Sequence, residues 1–230
     1  MSLSHSPSIV TNGLVLLLDA ANSKSYPGTG TAWNDLSGLG NNATLINSPT
    51  YDLSNNGSIV FNGTNSFASV ADANSLSFTN NTFTFDYWVN FTSVANIGVL
   101  GKMNTWEYAF SSPSSGVLRF YIWNLSGSQL YSAPSTISTN VVTSTWYNHV
   151  YTADGANSVL YVNGVSVATS SKGTTVMGDG TNPLIIGAGG DSGGWKYLNG
   201  KLPLIKMYNR YLSAAEVQQN FNALRGRYGI

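Results

Sequence analysis

Only two glutamates occur in the 230 residues, Glu107 and Glu216, and their surroundings decide whether the chain can cut a glycosidic bond. Retaining hydrolysis needs two carboxylates about 5–5.5 Å apart across the scissile bond. Glu107 stands in Asn104-Thr105-Trp106-Glu107-Tyr108 with no acidic residue two or four positions away, so its own strand cannot supply the pair. Glu216 follows Ser213 by three positions, the spacing of a helix capping box. His149 has no Ser or Cys nucleophile in a recognisable motif, and it reads as a partly buried strand residue hydrogen-bonded to the backbone. Gly187-Ala188-Gly189-Gly190 resembles a phosphate-binding run, but no helix is predicted to follow it, so it reads as a strand end and turn. An Asp pair assembled from different strands stays open; no other catalytic constellation remains, and the chain is read as a non-enzyme.

Two binding chemistries survive. Asp154, Asp179 and Asp191 each precede or approach a glycine and offer a hard oxygen to calcium, yet none has the alternating acidic spacing of a dedicated loop. Asx turns are the simpler use of all three, so no cofactor is assigned and calcium is the one metal left open. Sugars present apolar C–H faces edged with hydroxyls, which suits exposed aromatic rings beside uncharged polar groups. The candidates are Trp106 with Tyr108, Tyr121 with Trp123, and Trp195 with Tyr197, each pair at alternate positions and therefore on one face of a strand. The same rings would serve a protein interface, and the competing expectation is burial between sheets.

Strands must position these residues. Charged residues make up 9% of the chain against about 25% in ordinary soluble domains, while Gly, Asn, Ser and Thr fill the gaps between apolar runs. That composition favours strands and turns over helices. Phe83, Phe85, Tyr87, Val89 and Phe91 alternate with period two and form a core-facing stripe. Leu14 to Leu18 is a continuous apolar run of strand length, compatible with burial on both faces. Asn163-Gly164 predicts a two-residue hairpin that pairs Val162 with Val165 and Leu160 with Val167. Leu118, Phe120 and Ile122 separate from a polar-aromatic face of Arg119, Tyr121 and Trp123. A single helix is predicted at the C-terminus, capped by Ser213 and Glu216, stapled by Leu212 and Val217, and closed by Gly226. The expected fold is all-β, a two-sheet antiparallel jelly-roll sandwich with one short C-terminal helix. Residues 1–8 form a flexible arm, 9–212 the sandwich, and 213–230 a helix and tail that dock on the sandwich or on a partner through a segment containing Arg225 and Arg227.

Formal net charge is zero and no basic run exists, which excludes nucleic-acid binding by phosphate neutralisation. The longest apolar run is far too short to span a bilayer. Absence of cysteine excludes a disulfide framework and is compatible with folding in a reducing cytoplasm. Residues 1–7 have neither the basic nor the apolar region of a secretory leader. One resolution of a surface of exported character without a leader is manufacture in a bacterial cytoplasm and carriage outside on an assembled particle.

The order of Gly13-Leu14-Val15-Leu16-Leu17-Leu18-Asp19, Trp33-Asn34-Asp35-Leu36-Ser37-Gly38, Ile59-Val60-Phe61-Asn62-Gly63, Trp146-Tyr147-Asn148-His149-Val150 and Gly200-Lys201-Leu202 resembles the laminin-G-like, concanavalin A-like lectin/glucanase jelly-roll domains. The pieces span nearly the whole chain. Many members carry Ile-Asp-Glu after the closing Gly-Lys, whereas these positions read Leu202-Pro203-Leu204, so no acidic role carries over. The opening and the tail from Leu212 to Ile230 are most similar to versions in tailed-bacteriophage virion proteins. The resemblance implies a decoration, fibre-associated or adhesin-type module on the virion surface. Its partners would be other virion proteins, further copies of itself and host surface glycans. A secreted lectin, which would be extracellular, and a polysaccharide-active glycosidase are the alternatives.

Overall fold

The computed structural model describes residues 7–95, 97–102, 107–114, 116–123, 129–132, 141–171, 177–191 and 194–230. The first third of the chain supplies β1 (Leu14–Asp19), β2 (Ala32–Trp33), β3 (Ala43–Ile46), β4 (Thr50–Asp52), β5 (Ser58–Asn62) and β6 (Phe67–Val70). The middle supplies β7 (Thr82–Phe91), β8 (Gly98–Lys102), β9 (Tyr108–Ser114), β10 (Val117–Trp123), β11 (Gln129–Ser132) and β12 (Trp146–Asp154). Then follow β13 (Asn157–Val162), β14 (Val165–Ser171), β15 (Leu184–Ile186), β16 (Ala188–Asp191), β17 (Gly194–Tyr197), β18 (Asn199–Tyr208) and the helix α1 (Ala214–Tyr228).

Two antiparallel sheets form the sandwich, as the patterning predicts. One runs β14-β13-β12-β7-β18-β5-β4, with β1 also paired to β18, and the other runs β11-β10-β9-β8-β15-β6-β3-β2. Between them the odd residues of β7 meet the second sheet ring to ring. Phe85 lies 5.5 Å from Phe110, Phe110 lies 4.4 Å from Phe120, and Phe120 lies 4.2 Å from Tyr151. Edge-to-face and tilted contacts of this kind add about 0.5–1.5 kcal/mol each beyond the area they bury.

The central even residues of β7, Thr84, Asp86 and Trp88, are buried as well, and the helix is the reason. Its capping box is formed, with Ser213 and Glu216 bonding reciprocally. Leu212 and Val217 share one apolar cluster, and Trp88 of β7 is clamped by Phe221 at 5.8 Å and Tyr228 at 4.1 Å. Beneath the helix Asp86 pairs with Lys206 at 2.7 Å and accepts from Asn148 and Asn220 at 2.8 and 3.0 Å. Asn220 also accepts from Val10 N, and Gln219 donates to Ser8 O, so the chain is anchored from Ser8 onward. Of the segment read as a flexible arm, residues 1–6 lie outside the described residues.

Three local expectations change. Val162 pairs with Val165 and Tyr161 with Ser166, but a bulge then pairs Leu160 with Ala168 and leaves Val167 exposed. The helix runs through Gly226 and closes on Gly229, which adopts a left-handed φ of 74°. One interior glycine costs about 1 kcal/mol, less than the stack of Tyr228 on Trp88 and the ion pair of Arg227 with Asp19 return together. His149 is fully buried, and neither ring nitrogen has a hydrogen-bond partner among the described residues, so its expected backbone bond is absent there.

Candidate functional site

Both glutamates and most of the described aspartates are committed to structure. Glu107 is buried against Lys102, which also donates to Asp72 at 2.7 Å and Ser77 at 2.9 Å; Ser77 and Gly180 N in turn donate to Glu107 at 3.1 Å. Burial raises the Glu107 carboxyl above its ordinary range, and the Lys102 ammonium acts against that rise. Glu216 is held down to about 2, first by Arg210 and then by its cap to Ser213. Asp52 pairs with Lys201, Asp86 with Lys206, and Asp19 with Arg227 through two bonds of 2.8 and 3.1 Å. Asp35 accepts from Leu17 N, Ser37 N and Asn41 N, fixing the loop that covers the edge of β1.

The calcium candidates do not converge. Asp154 accepts from Ala156 N and Asn157 N at 2.9 and 2.6 Å, an Asx turn. Asp179 is exposed, and the side chain of Asp191 lies outside the described residues. Among the described residues no group of three or more His, Cys, Asp or Glu could hold a metal ion.

The aromatic candidates divide. Tyr108 is fully buried, with its hydroxyl donating to Leu76 O at 3.0 Å, and Tyr121 is buried too. A surface role for these two rings is therefore corrected. Period two cannot tell which face of a strand a distant element will cover. Trp106 and the side chain of Trp123 lie outside the described residues.

Trp195 and Tyr197 remain at the surface. They sit on β17, whose partner strand places Gly190 opposite Trp195 and Ala188 opposite Tyr197. Cross-strand side chains normally cover one another, and here the partners are too small to do so. Trp195 is 40% exposed in consequence. The hairpin lies close on the second sheet because β8 offers a glycine: a Cβ on Gly98 would stand 2.0 Å from Lys196 O. Ser111 Oγ donates to Gly190 O at 3.0 Å and pins the hairpin from β9.

Two hollows flank the rings. An apolar notch of about 90 Å³ is lined by Phe67, Ile185 and Ala188 together with both rings. On the other side a cleft of about 420 Å³ is bordered by Gly63, Ser93, Ala95, Lys196 and Asn199. The Asn199 side chain rests over Gly63 at the border of this cleft and has no hydrogen bond to the described residues, which leaves its amide unspent. Sequence reasoning passed over Asn199, although Trp195, Tyr197 and Asn199 continue a single alternation. Ser93 carries no such signal, because the loop after β7 brings it here by tertiary contact, Asn199 O accepting from Ser93 N at 3.2 Å.

The family model of the concanavalin A-like lectin/glucanases superfamily matches residues 61–218. The chain belongs to this superfamily. Solved structures agree on the fold of this concanavalin A-like domain. The binding domain of Paraclostridial Mosquitocidal Protein 1 superposes with a TM-score of 0.72 at 20% identity over 93% of this chain and 52% of that one. The binding domain of Botulinum Neurotoxin DC in complex with SialylT gives 0.71 at 12% identity, over 93% and 52%. Domain 4 of AbnA, a GH43 extracellular arabinanase from Geobacillus stearothermophilus in complex with arabinotriose, gives 0.67 at 15% identity, over 90% and 97%. The chain thus spans about half the length of the two toxin binding domains and nearly all of the arabinanase domain. No curated protein matches it by sequence.

Proposed function

We propose that this chain is a non-catalytic carbohydrate-binding module whose primary contact is the Trp195–Tyr197 shelf. The observation that carries the reading is Trp195 itself, a large exposed ring set opposite a glycine and beside an unspent amide. A pyranose C–H face would stack on the indole while Asn199 and Ser93 bond its hydroxyls. The engagement of Glu107 and Glu216 in internal ion pairs supports a binding role rather than hydrolysis. Among the similar folds, one is a domain solved with arabinotriose and one with SialylT, which supports the same reading.

The setting we propose is the virion surface of a tailed bacteriophage, with the chain made in the host cytoplasm and packed beside other virion proteins and copies of itself. Its support is the similarity of the opening stretch and of Leu212 to Ile230 to such proteins. Arg227 is spent on Asp19 and Tyr228, so of the two tail arginines Arg225 is the one exposed to a partner. Mass spectrometry of purified particles tests the setting, and a particle lacking the chain overturns it. Glycan-array binding tests the activity. Retention of all binding by Trp195→Ala removes the shelf from the site.

A further inference from the structure

A second cleft opens where the loops after β1 and before β4 meet, at the edge of the first sheet. This open cleft has a volume of about 640 Å³, within the range of about 300–1,000 Å³ usual for small-molecule sites. The half-buried Tyr51 forms its floor and is backed by Tyr26, which is itself buried, with ring centroids 5.2 Å apart and planes inclined by 58°. Both rings are locked by their hydroxyls, Tyr26 donating to Gly30 O and Tyr51 to Ala20 O, each at 3.0 Å. Gly57 makes the second lock possible: a Cβ there would stand 2.2 Å from the Tyr51 hydroxyl. The floor is therefore a rigid aromatic corner whose phenols have no proton left to donate to a ligand.

The rim has a different character. Pro27, Pro49 and Leu53 supply apolar edges, and Leu53 is 79% exposed, the largest exposure of any bulky apolar residue described. Between them stand the hydroxyls of Ser23, Thr29 and Thr50, none bonded to another described residue. Among the described residues no charged side chain lines the cleft. Two successive non-glycine residues in the left-handed region, Asn47 at φ 57° and Ser48 at 55°, carry the chain into the Pro49 wall. Backbone held in this region costs of order 1 kcal/mol or more per residue and persists where the surroundings enforce it.

We infer that this cleft is a second, independent site for a neutral saccharide. The Tyr51 ring and the proline edges match sugar C–H surfaces, free hydroxyls match sugar hydroxyls, and the uncharged lining leaves a carboxylated or sialylated residue without a counter-charge. A proline-rich peptide fits less well, because such segments dock in aromatic-lined grooves, and here a single accessible ring, Tyr51, stands over a buried one. Tyr51 pairs with Ile59 of β5, while Gly63 beyond the end of β5 borders the first site. Four residues separate the two along the strand direction, about 14 Å. The inference goes beyond the Trp195 site and stands whether or not that site binds.

The test is a titration of the ¹⁵N-labelled full chain with cellotriose, mannotriose, arabinotriose, sialyllactose and an oligoproline peptide. Each runs to about 10 mM, which fills about 90% of a site whose Kd is about 1 mM. Amides of Gly28, Gly30, Thr50 and Leu53 should shift saturably with at least one neutral trisaccharide, equally in wild type and in Trp195→Ala. Leu53→Arg, at an exposed position, should weaken that binding at least about tenfold, and Thr50→Val should weaken it without loss of fold. Shifts confined to residues 195–199, shifts caused only by oligoproline, or unchanged affinity in Leu53→Arg would each overturn the second site. Failure of the first site shows separately, as unshifted 195–199 amides in the wild type.

Discussion

His149 is the residue whose chemistry departs furthest from its sequence reading. It lies between Tyr87, edge-on at 5.5 Å, and Tyr147, stacked at 5.6 Å, inside the first sheet's core face. Burial lowers its pKa from 6.5 to about 3, so the folded state holds it neutral. The unfolded chain takes up this proton first as pH falls. The stability that His149 contributes is therefore complete above about pH 6.5 and is lost progressively down to about pH 3. At about 1.4 kcal/mol per pKa unit the full loss is about 5 kcal/mol. Denaturant unfolding should show stability falling between about pH 6.5 and pH 4.5, and His149→Leu should remove most of that slope. An identical slope in His149→Leu would assign the acid sensitivity to other groups.

At the scale of elements, local patterns were readable and long-range coverage was not. The β7 stripe, the turn at Asn163-Gly164 and the Ser213–Glu216 box follow from spacings within about ten residues, and all three formed. Burial of Thr84, Asp86 and Trp88 required a helix more than a hundred positions away, which no periodicity reports. Likewise the alternation of Trp195, Tyr197 and Asn199 was legible, but their exposure depends on Gly190 and Ala188 and on how closely the hairpin approaches β8. That dependence makes Gly98→Ala informative. The added methyl forces the hairpin off β8, so stability should drop by about 1–3 kcal/mol and glycan binding should fall although residue 98 touches no ligand. Unchanged binding would show that the hairpin's seat is immaterial. Truncation after Leu224 removes Tyr228 from Trp88 and Arg227 from Asp19. It should lower stability by about 3–5 kcal/mol, the usual cost of losing a buried aromatic. A thermal midpoint equal to wild type would mean that the tail serves a partner rather than this fold.

For the whole molecule the sparse charge is the organising fact. Ten basic and ten acidic residues give a formal net charge of zero, and Lys102, Lys201, Lys206, Arg210 and Arg227 are each paired with a carboxylate of the same fold. Little long-range field remains to steer or hold a ligand, so glycan affinity should change less than about twofold between low and moderate ionic strength. A steep salt dependence would point to Lys196 and an anionic ligand instead. The fold alone would serve a lectin, a virion component or an enzyme equally well, and the exposed indole is what favours recognition. Isothermal titration of wild type and Trp195→Ala with the best glycan from an array tests this most directly. The account predicts at least about a tenfold loss of affinity, about 1.4 kcal/mol, with an unchanged thermal midpoint, and equal affinity in the two proteins would contradict it.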